Sequence, residues 1–188
     1  GNLAGHLLTL RPGLLALADH KILGQRFFEG LSDTLGIVAD AVAEFAPARL
    51  AQLQRDLESA TRSQPSSLMA ARLWLDRVAT SAAELVAGIE ALDNGVKNQL
   101  GWWTRAFAGQ CRGALDELMS LAPWTERLSS QNGLGDFPGL DEIPTLRELA
   151  SLDVKLLPTI EQQRSAVAPS EESARLDELQ RHITAASG

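Results

Sequence analysis

The residues of this chain that are best suited to binding are its tryptophans. Four Trp accompany five Phe and no Tyr among the 188 residues. An indole combines large apolar faces with one N–H donor, which suits it to interfaces, and its faces can stack on sugar rings. Trp103 falls in the apolar stripe of a predicted helix and is expected in the core, whereas Trp102 lies off that stripe. We therefore predict that Trp102 and Trp124 are contact residues, either for a carbohydrate or for a neighbouring domain.

The single cysteine and the histidines do not form a catalytic or metal-binding pattern. One cysteine, Cys111, excludes an internal disulfide. It falls on the apolar side of a predicted helix, far in sequence from His6, His20 and His182. Zinc requires closely grouped Cys, His or carboxylate ligands, and these histidines are scattered. We predict a buried structural thiol and no metal site.

Two further patterns superficially suggest sites for chemistry. The glycines of 133–139 differ from a dinucleotide-binding loop, because the third glycine comes one residue late and no strand is predicted before it. The acid pairs Asp116–Glu117 and Asp141–Glu142 differ from a glycosidase site, since neighbours in a helix do not face each other and hydrolysis needs two carboxylates held across a substrate. We predict no catalytic residue and no cofactor.

Charge and hydropathy argue against two classes of partner. The net charge is −7 at pH 7, whereas nucleic-acid-binding proteins carry a basic face. No apolar stretch approaches the roughly 20 residues of a membrane-spanning helix. Interfacial helices usually carry Lys and Arg on the polar face, whereas this chain has only three Lys and is acidic. We predict a soluble fragment with no nucleic-acid partner and no direct membrane insertion. The first residue, Gly1, indicates a piece of a longer protein.

Apolar residues recur at spacings of three and four along most of the chain, which predicts helices. The predicted stripes are Leu31, Leu35, Val38, Val42 and Phe45; Leu50, Leu53, Leu57 and Ala60; Trp74, Val78, Ala82, Leu85, Ile89 and Leu92; and Leu100, Trp103, Phe107, Cys111, Ala114, Leu118 and Leu121.

Start and stop signals divide these stripes into separate helices. Pro47 ends one helix or begins the next, because proline is tolerated in a first turn, and residues 63–67 form a break with capping residues. The third helix is predicted to be the longest, from about Ser67 to a stop at 93–95. A short connection then favours an antiparallel pairing with the following helix, which Pro123 ends or bends.

The two ends of the chain carry weaker patterns. Thr145-x-x-Glu148 and Thr159-x-x-Gln162 each follow a proline and match a capping box, which predicts two short helices. A last helix is predicted from Pro169 onward, with Leu176, Leu179 and Ile183 on its apolar face. At the start of the chain, Arg11-Pro12-Gly13 interrupts a leucine-rich segment, which predicts two short helices there.

These elements predict an all-α fold, an irregular bundle of six to nine helices with a long antiparallel helix pair. The length suits one domain. Within it we expect a main bundle over residues 1–128, a loop over 129–142, and short C-terminal helices over 143–188 that pack on the bundle.

Two phrases resemble a region of the cyclic β-1,2-glucan synthases, which are large bacterial membrane enzymes. The first contains Gln110-Cys111-Arg112 and then Leu115-Asp-Glu-Leu118-Met-Ser-Leu121-Ala122-Pro123-Trp124, and the second is Pro144-Thr-Leu-Arg-Glu-Leu-Ala150. The segment 173–180 resembles the helix that precedes the glycoamylase-like domain of that family. The resemblance covers roughly Trp74 to Ile183.

The resemblance implies a helical connector within a multidomain enzyme on the cytoplasmic side of the inner membrane. Such enzymes join a glycosyltransferase that uses UDP-glucose to glucan-processing domains. The implied partners are the other domains of the same polypeptide, with β-1,2-glucan as a candidate ligand. The family's catalytic motifs do not occur here, so no catalytic residue is carried over. Two alternatives stay open: a stand-alone helical protein-interaction module, and a carbohydrate-binding helical domain that uses Trp102 and Trp124.

Overall fold

The computed structural model describes residues 3–42, 47–91, 94–128, 137, 139–166 and 171–187. These residues form an all-α fold, as predicted, and no strand occurs within these ranges. The helices are α1 (Leu3–Leu17), α2 (Gln25–Val42), α3 (Pro47–Arg62), α4 (Leu68–Glu90), α5 (Asn94–Leu121), α6 (Thr125–Leu128), α7 (Leu146–Leu149), α8 (Leu152–Ala166) and α9 (Glu171–Ser187).

The chain divides into two compact units. Leu23–Met119 forms one, here called the central unit, and Gly1–Ile22 together with Ser120–Gly188 forms the other, here called the terminal unit. The terminal unit therefore contains both ends of the chain, with the central unit inserted between them in sequence. The single domain with boundaries at residues 128 and 143 stays a prediction.

The central unit is built on the predicted apolar stripes. α2 packs against α3, and α3 packs against α4. The buried members of those stripes are Leu31, Leu35, Val38, Leu50, Leu53, Leu57, Ala60, Trp74, Val78, Ala82, Leu85, Ile89, Phe107, Cys111 and Leu118. Trp103, Ala114 and Leu121 are half-buried, while Thr104 and Leu115 are buried beside them, so the buried face of α5 is broader than the stripe. The predicted core side chains of Val42, Phe45, Leu92 and Leu100 lie outside the described ones.

The two longest helices, α4 and α5, follow each other in the chain. Ser67 caps α4 by accepting a hydrogen bond from the Ala70 N–H at 3.2 Å. α5 has 28 residues and α4 has 23, so the prediction that the third stripe forms the longest helix was wrong. The reason is that Asn94 and Gly95 form the first turn of α5; both residue types also favour helix starts.

Two prolines lie inside helices of the terminal unit, where the sequence predicted breaks. α1 continues through Pro12, so the two predicted N-terminal helices are one. α8 begins at Leu152 and contains Pro158, so the predicted helix start at Thr159 was also wrong. Proline removes one backbone donor from a helix. In α8 the carbonyl left without that donor belongs to Val154, a residue that is 75% exposed.

Other predicted boundaries of the terminal unit are confirmed. α5 ends at Leu121, and α6 adds one turn after Pro123. The capping box of α7 is complete, because Thr145 Oγ1 accepts from the Glu148 N–H at 3.1 Å and Glu148 Oε2 accepts from the Thr145 N–H at 2.8 Å. α8 packs against α9, whose predicted apolar residues Leu176, Leu179 and Ile183 are buried.

Candidate functional site

Trp124, one of the two predicted contact residues, lies in the core. Its side chain is 1% exposed, and its Nε1–H donates to the Leu140 carbonyl at 3.0 Å. Because its faces are covered by its own chain, a sugar could stack on Trp124 only if this part of the molecule opened. The structure therefore corrects its assignment from a surface contact to a core residue.

The described end of the predicted loop is buried, and Leu140 in it accepts the hydrogen bond from Trp124. Phe137 and Leu140 are 3% and 1% exposed. Gly139 between them has a φ of +85°, in the left-handed region that favours glycine. The neighbouring Thr125 is buried, and its hydroxyl donates to the Ala122 carbonyl at 2.7 Å. Residues 129–136 and 138 of the predicted loop lie outside the described residues.

Trp102, the other predicted contact residue, is exposed. It lies on α5 with 58% of its surface accessible. Its ring meets the half-buried ring of Trp103 edge to face, with centroids 4.5 Å apart. Packing against Trp103 restricts the orientation of Trp102, so an indole face is held at the surface.

The second phrase of the resemblance, residues 144–150, is hydrogen-bonded to the residues that follow α1. The Ile22 N–H donates to the Pro144 carbonyl and the Arg147 N–H donates to the Ala18 carbonyl, both at 3.0 Å. The Arg147 guanidinium also binds both carboxylate oxygens of Asp19, Nε to Oδ1 at 2.5 Å and Nη2 to Oδ2 at 3.3 Å. No local sequence pattern indicates this pairing, because its partners lie 128 positions apart.

The charges of this joint follow from its hydrogen bonds. The bond from Arg147 lowers the pKa of Asp19 and raises that of the guanidinium. The N–H of Thr145 lowers the pKa of Glu148, with the Thr145 hydroxyl as a second cause. All three groups therefore carry their full charge at neutral pH.

Two hydrogen bonds of Ser187 hold the end of α9. Ser187 Oγ donates to the Leu149 carbonyl at 3.0 Å and accepts from the Asp153 N–H at 3.2 Å. One hydroxyl thus links the last helix to the junction of α7 and α8.

Cys111 and Asp116, whose side chains are of types that could support chemistry, have structural surroundings. Cys111 is fully buried, and desolvation raises its pKa to about 12, so it is a structural thiol as predicted. Asp116 pairs with Arg112 on the surface at 3.2 Å. Within the described ranges, no three His, Cys, Asp or Glu side chains are grouped closely enough to hold a metal ion.

Among the described helices, none combines the length and apolar character that crossing a membrane requires. No protein-family model matches this chain, and neither a curated protein nor a solved structure matches it. Within the terminal unit, the hydrogen bonds of Trp124, Arg147 and Ser187 join residues that are distant in the sequence.

Proposed function

We propose that this chain is a non-catalytic helical scaffold of a cyclic β-1,2-glucan synthase-like enzyme, on the cytoplasmic side of the inner membrane. Its role is to hold the catalytic domains of the same polypeptide in position. The observation that carries this proposal is that both phrases of the resemblance supply structural joints of the terminal unit. Trp124 donates a hydrogen bond to the Leu140 carbonyl, and Arg147 forms an ion pair with Asp19.

The first phrase supports a structural role because its last residues are buried and hydrogen-bonded. Ala122 and Trp124 are 0% and 1% exposed. The carbonyl of Ala122 accepts from the Thr125 hydroxyl, and the indole of Trp124 donates to Leu140. A buried indole with a satisfied N–H fixes the path of the chain.

The second phrase supports the same role because it joins segments from both ends of the chain. Residues 18–22 bond to residues 144–147, and Ser187 at the end of α9 bonds to Leu149. The segment after α1 and the last helix thus belong to one compact unit. Domains attached at the two ends would be anchored to a common support, as a scaffold requires.

The proposal is tested first on the purified chain. We expect neither release of UDP from UDP-glucose nor shortening of linear β-1,2-glucan. Either activity, if it co-purifies with the chain and is lost with its removal, would overturn the scaffold role. In the complete enzyme, Trp124→Ala is expected to reduce cyclic glucan formation while leaving UDP-glucose binding unchanged, because it acts on the support and not on the reacting groups.

One observation favours a second candidate, a carbohydrate-binding helical domain. Trp102 is 58% exposed and is held by Trp103. Titration with β-1,2-glucan would then change the Trp fluorescence of the wild-type chain but not that of Trp102→Phe. Unchanged wild-type fluorescence would exclude stacking at Trp102 and leave the scaffold proposal untouched.

The third candidate, a stand-alone protein-interaction module, is favoured by α1. Leu10, Leu14 and Leu17 lie on one face of this helix and are 53–55% exposed. Exposed apolar side chains at this spacing are typical of helix-mediated docking. Binding of a separate protein that Leu14→Gln abolishes would favour this candidate over a scaffold within one polypeptide.

A further inference from the structure

One side of α1 presents leucines to solvent. Leu10, Leu14 and Leu17, here called the leucine stripe, lie within about 60° of one another around the helix axis, and they are 53–55% exposed. In the sequence, the same spacing of three and four also includes Leu3 and Leu7. Leucines repeated in this way are typical of helices that pair with another helix.

This part of α1 is not packed into the core of its own chain. Every residue from 10 to 17 is exposed. Isolated helices shorter than about 12–15 residues are marginal in water, so a helix with this little packing is stabilised by a partner. Pro12 lies about 200° around the helix from Leu10, and it therefore leaves the leucine stripe uninterrupted.

The charges of α1 favour a second copy of this chain as that partner. Residues 3–17 contain no Asp or Glu, and Arg11 is their one arginine or lysine. Arg11 lies about 100° from Leu10, at the edge of the leucine stripe, so the stripe contains no charge that a partner must complement. A symmetric dimer uses the same patch on both subunits, which requires a patch that is complementary to itself. A stripe of one apolar residue type satisfies this condition.

We propose that α1 joins two copies of this chain through the leucine stripe. The leucines of one copy pack against those of the other, and Arg11 stays in water at the edge of the contact. A helix about 22 Å long and about 10 Å wide covers less than the roughly 800 Å² that each partner buries in a standard interface. We therefore expect a weak, reversible dimer with a dissociation constant on the order of 10–100 μM.

This inference is independent of the scaffold proposal, and it assigns to the leucine stripe a second copy in place of the separate protein of the third candidate. The test is sedimentation equilibrium of the 188-residue chain from about 1 to about 500 μM, a range around the expected dissociation constant. The average mass should rise from the 20.2 kDa of one chain toward twice that value. In hydrogen exchange, the amides of residues 10–17 should exchange more slowly at the high concentration than at the low one.

Variants decide whether the leucine stripe carries the contact. Leu10→Gln combined with Leu14→Gln should weaken the dimer by at least about tenfold, because polar amides would be buried in the contact, and glutamine keeps a favourable helix propensity. Leu15→Gln is the matched control within α1, since Leu15 is 55% exposed but lies about 140° from Leu10. Leu73→Gln on α4, 54% exposed, is the control outside it. Both controls should dimerise like the wild type, and circular dichroism checks the fold of each variant.

Three results would overturn the inference: the mass of a single chain at every concentration, a dimer that the double variant leaves intact, or an equal weakening by Leu15→Gln. The scaffold proposal does not depend on any of them, because it is based on the contacts of Trp124 and Arg147.

Discussion

The indole N–H of Trp124 donates to the backbone carbonyl of Leu140 at 3.0 Å, across 16 positions of the chain. This bond joins the segment after α5 to the residues that precede α7. Since Trp124 is 1% exposed and Leu140 is equally buried, water cannot replace the donor if it is removed. The bond is therefore expected to fix the fold of the terminal unit.

Trp124→Phe removes this donor while keeping an aromatic ring. We expect a loss of about 1–3 kcal/mol of unfolding free energy, the cost of an unsatisfied buried carbonyl, and a loss of about 3–5 kcal/mol for Trp124→Ala. Urea unfolding followed by far-ultraviolet circular dichroism measures both. Trp102→Phe is the matched control and should change stability by less than about 0.5 kcal/mol because Trp102 is exposed. Equal effects at the two positions would contradict the structural role of Trp124.

The ion pair of Arg147 with Asp19 and the capping carboxylate of Glu148 predict a dependence of stability on acid. Both carboxyl groups have pKa values below their ordinary 3.8 and 4.5. Their stabilisation is therefore complete above the unfolded-state pKa and is lost as the pH falls through the lower, folded-state pKa. Melting temperatures measured from pH 7 to pH 2 should show this loss of stabilisation as a decrease at acid pH.

Asp19→Asn and Glu148→Gln provide the comparison for that acid dependence. Each variant should melt below the wild type at pH 7 and converge with it at the acid end, where the wild-type carboxyl group is protonated. A difference that stays constant over the whole range would mean that the carboxylate charge is not responsible.

We expect the Cys111 thiol to be inert toward alkylating reagents in the folded chain. Its pKa of about 12, against about 8.5 for a free thiol, reduces the thiolate fraction by about three orders of magnitude, and burial restricts access further. Alkylation by iodoacetamide at pH 8, followed by mass spectrometry, should be at least about a thousandfold slower in the native chain than in denaturant. Comparable rates in the two states would show that Cys111 is accessible.

We expect that replacing Gly139 destabilises the fold through its backbone conformation, whereas replacing a glycine inside a helix does not. Its φ of +85° is unfavourable for other residues, although an added Cβ would meet no atom within 4 Å. Gly139→Ala should therefore lower stability by about 1–2 kcal/mol. Gly113→Ala in α5, where a Cβ also meets open space, should instead raise stability by up to about 1 kcal/mol. Thermal melts of the two variants that shift in the same direction would contradict this explanation.

Local patterns predicted the helices well because each depends on residues a few positions apart. The stripe Leu50, Leu53 and Leu57 is buried as its spacing required, and the pair Thr145 and Glu148 forms the capping box that its sequence indicated. The same local reasoning failed at Pro12 and Pro158, since the loss of one backbone hydrogen bond did not end either helix.

Contacts between distant positions could not be predicted from the sequence. Asp19 carried no signal for Arg147, because an ion pair across 128 positions depends on the tertiary fold. Trp124 was predicted as a contact residue because its faces could stack on sugar rings, whereas its burial depends on a tertiary contact with Leu140. A small cavity beside Trp74 could not be predicted for the same reason, since it is lined by residues from both α3 and α4.

The most direct measurement for the scaffold proposal is the sequence of the gene that encodes this chain, read on both sides of the 188 codons. We expect membrane-spanning segments and a glycosyltransferase domain before this segment, and a glycoamylase-like domain after it. A reading frame that ends near codon 188 without such domains would contradict the proposal and favour a stand-alone interaction module.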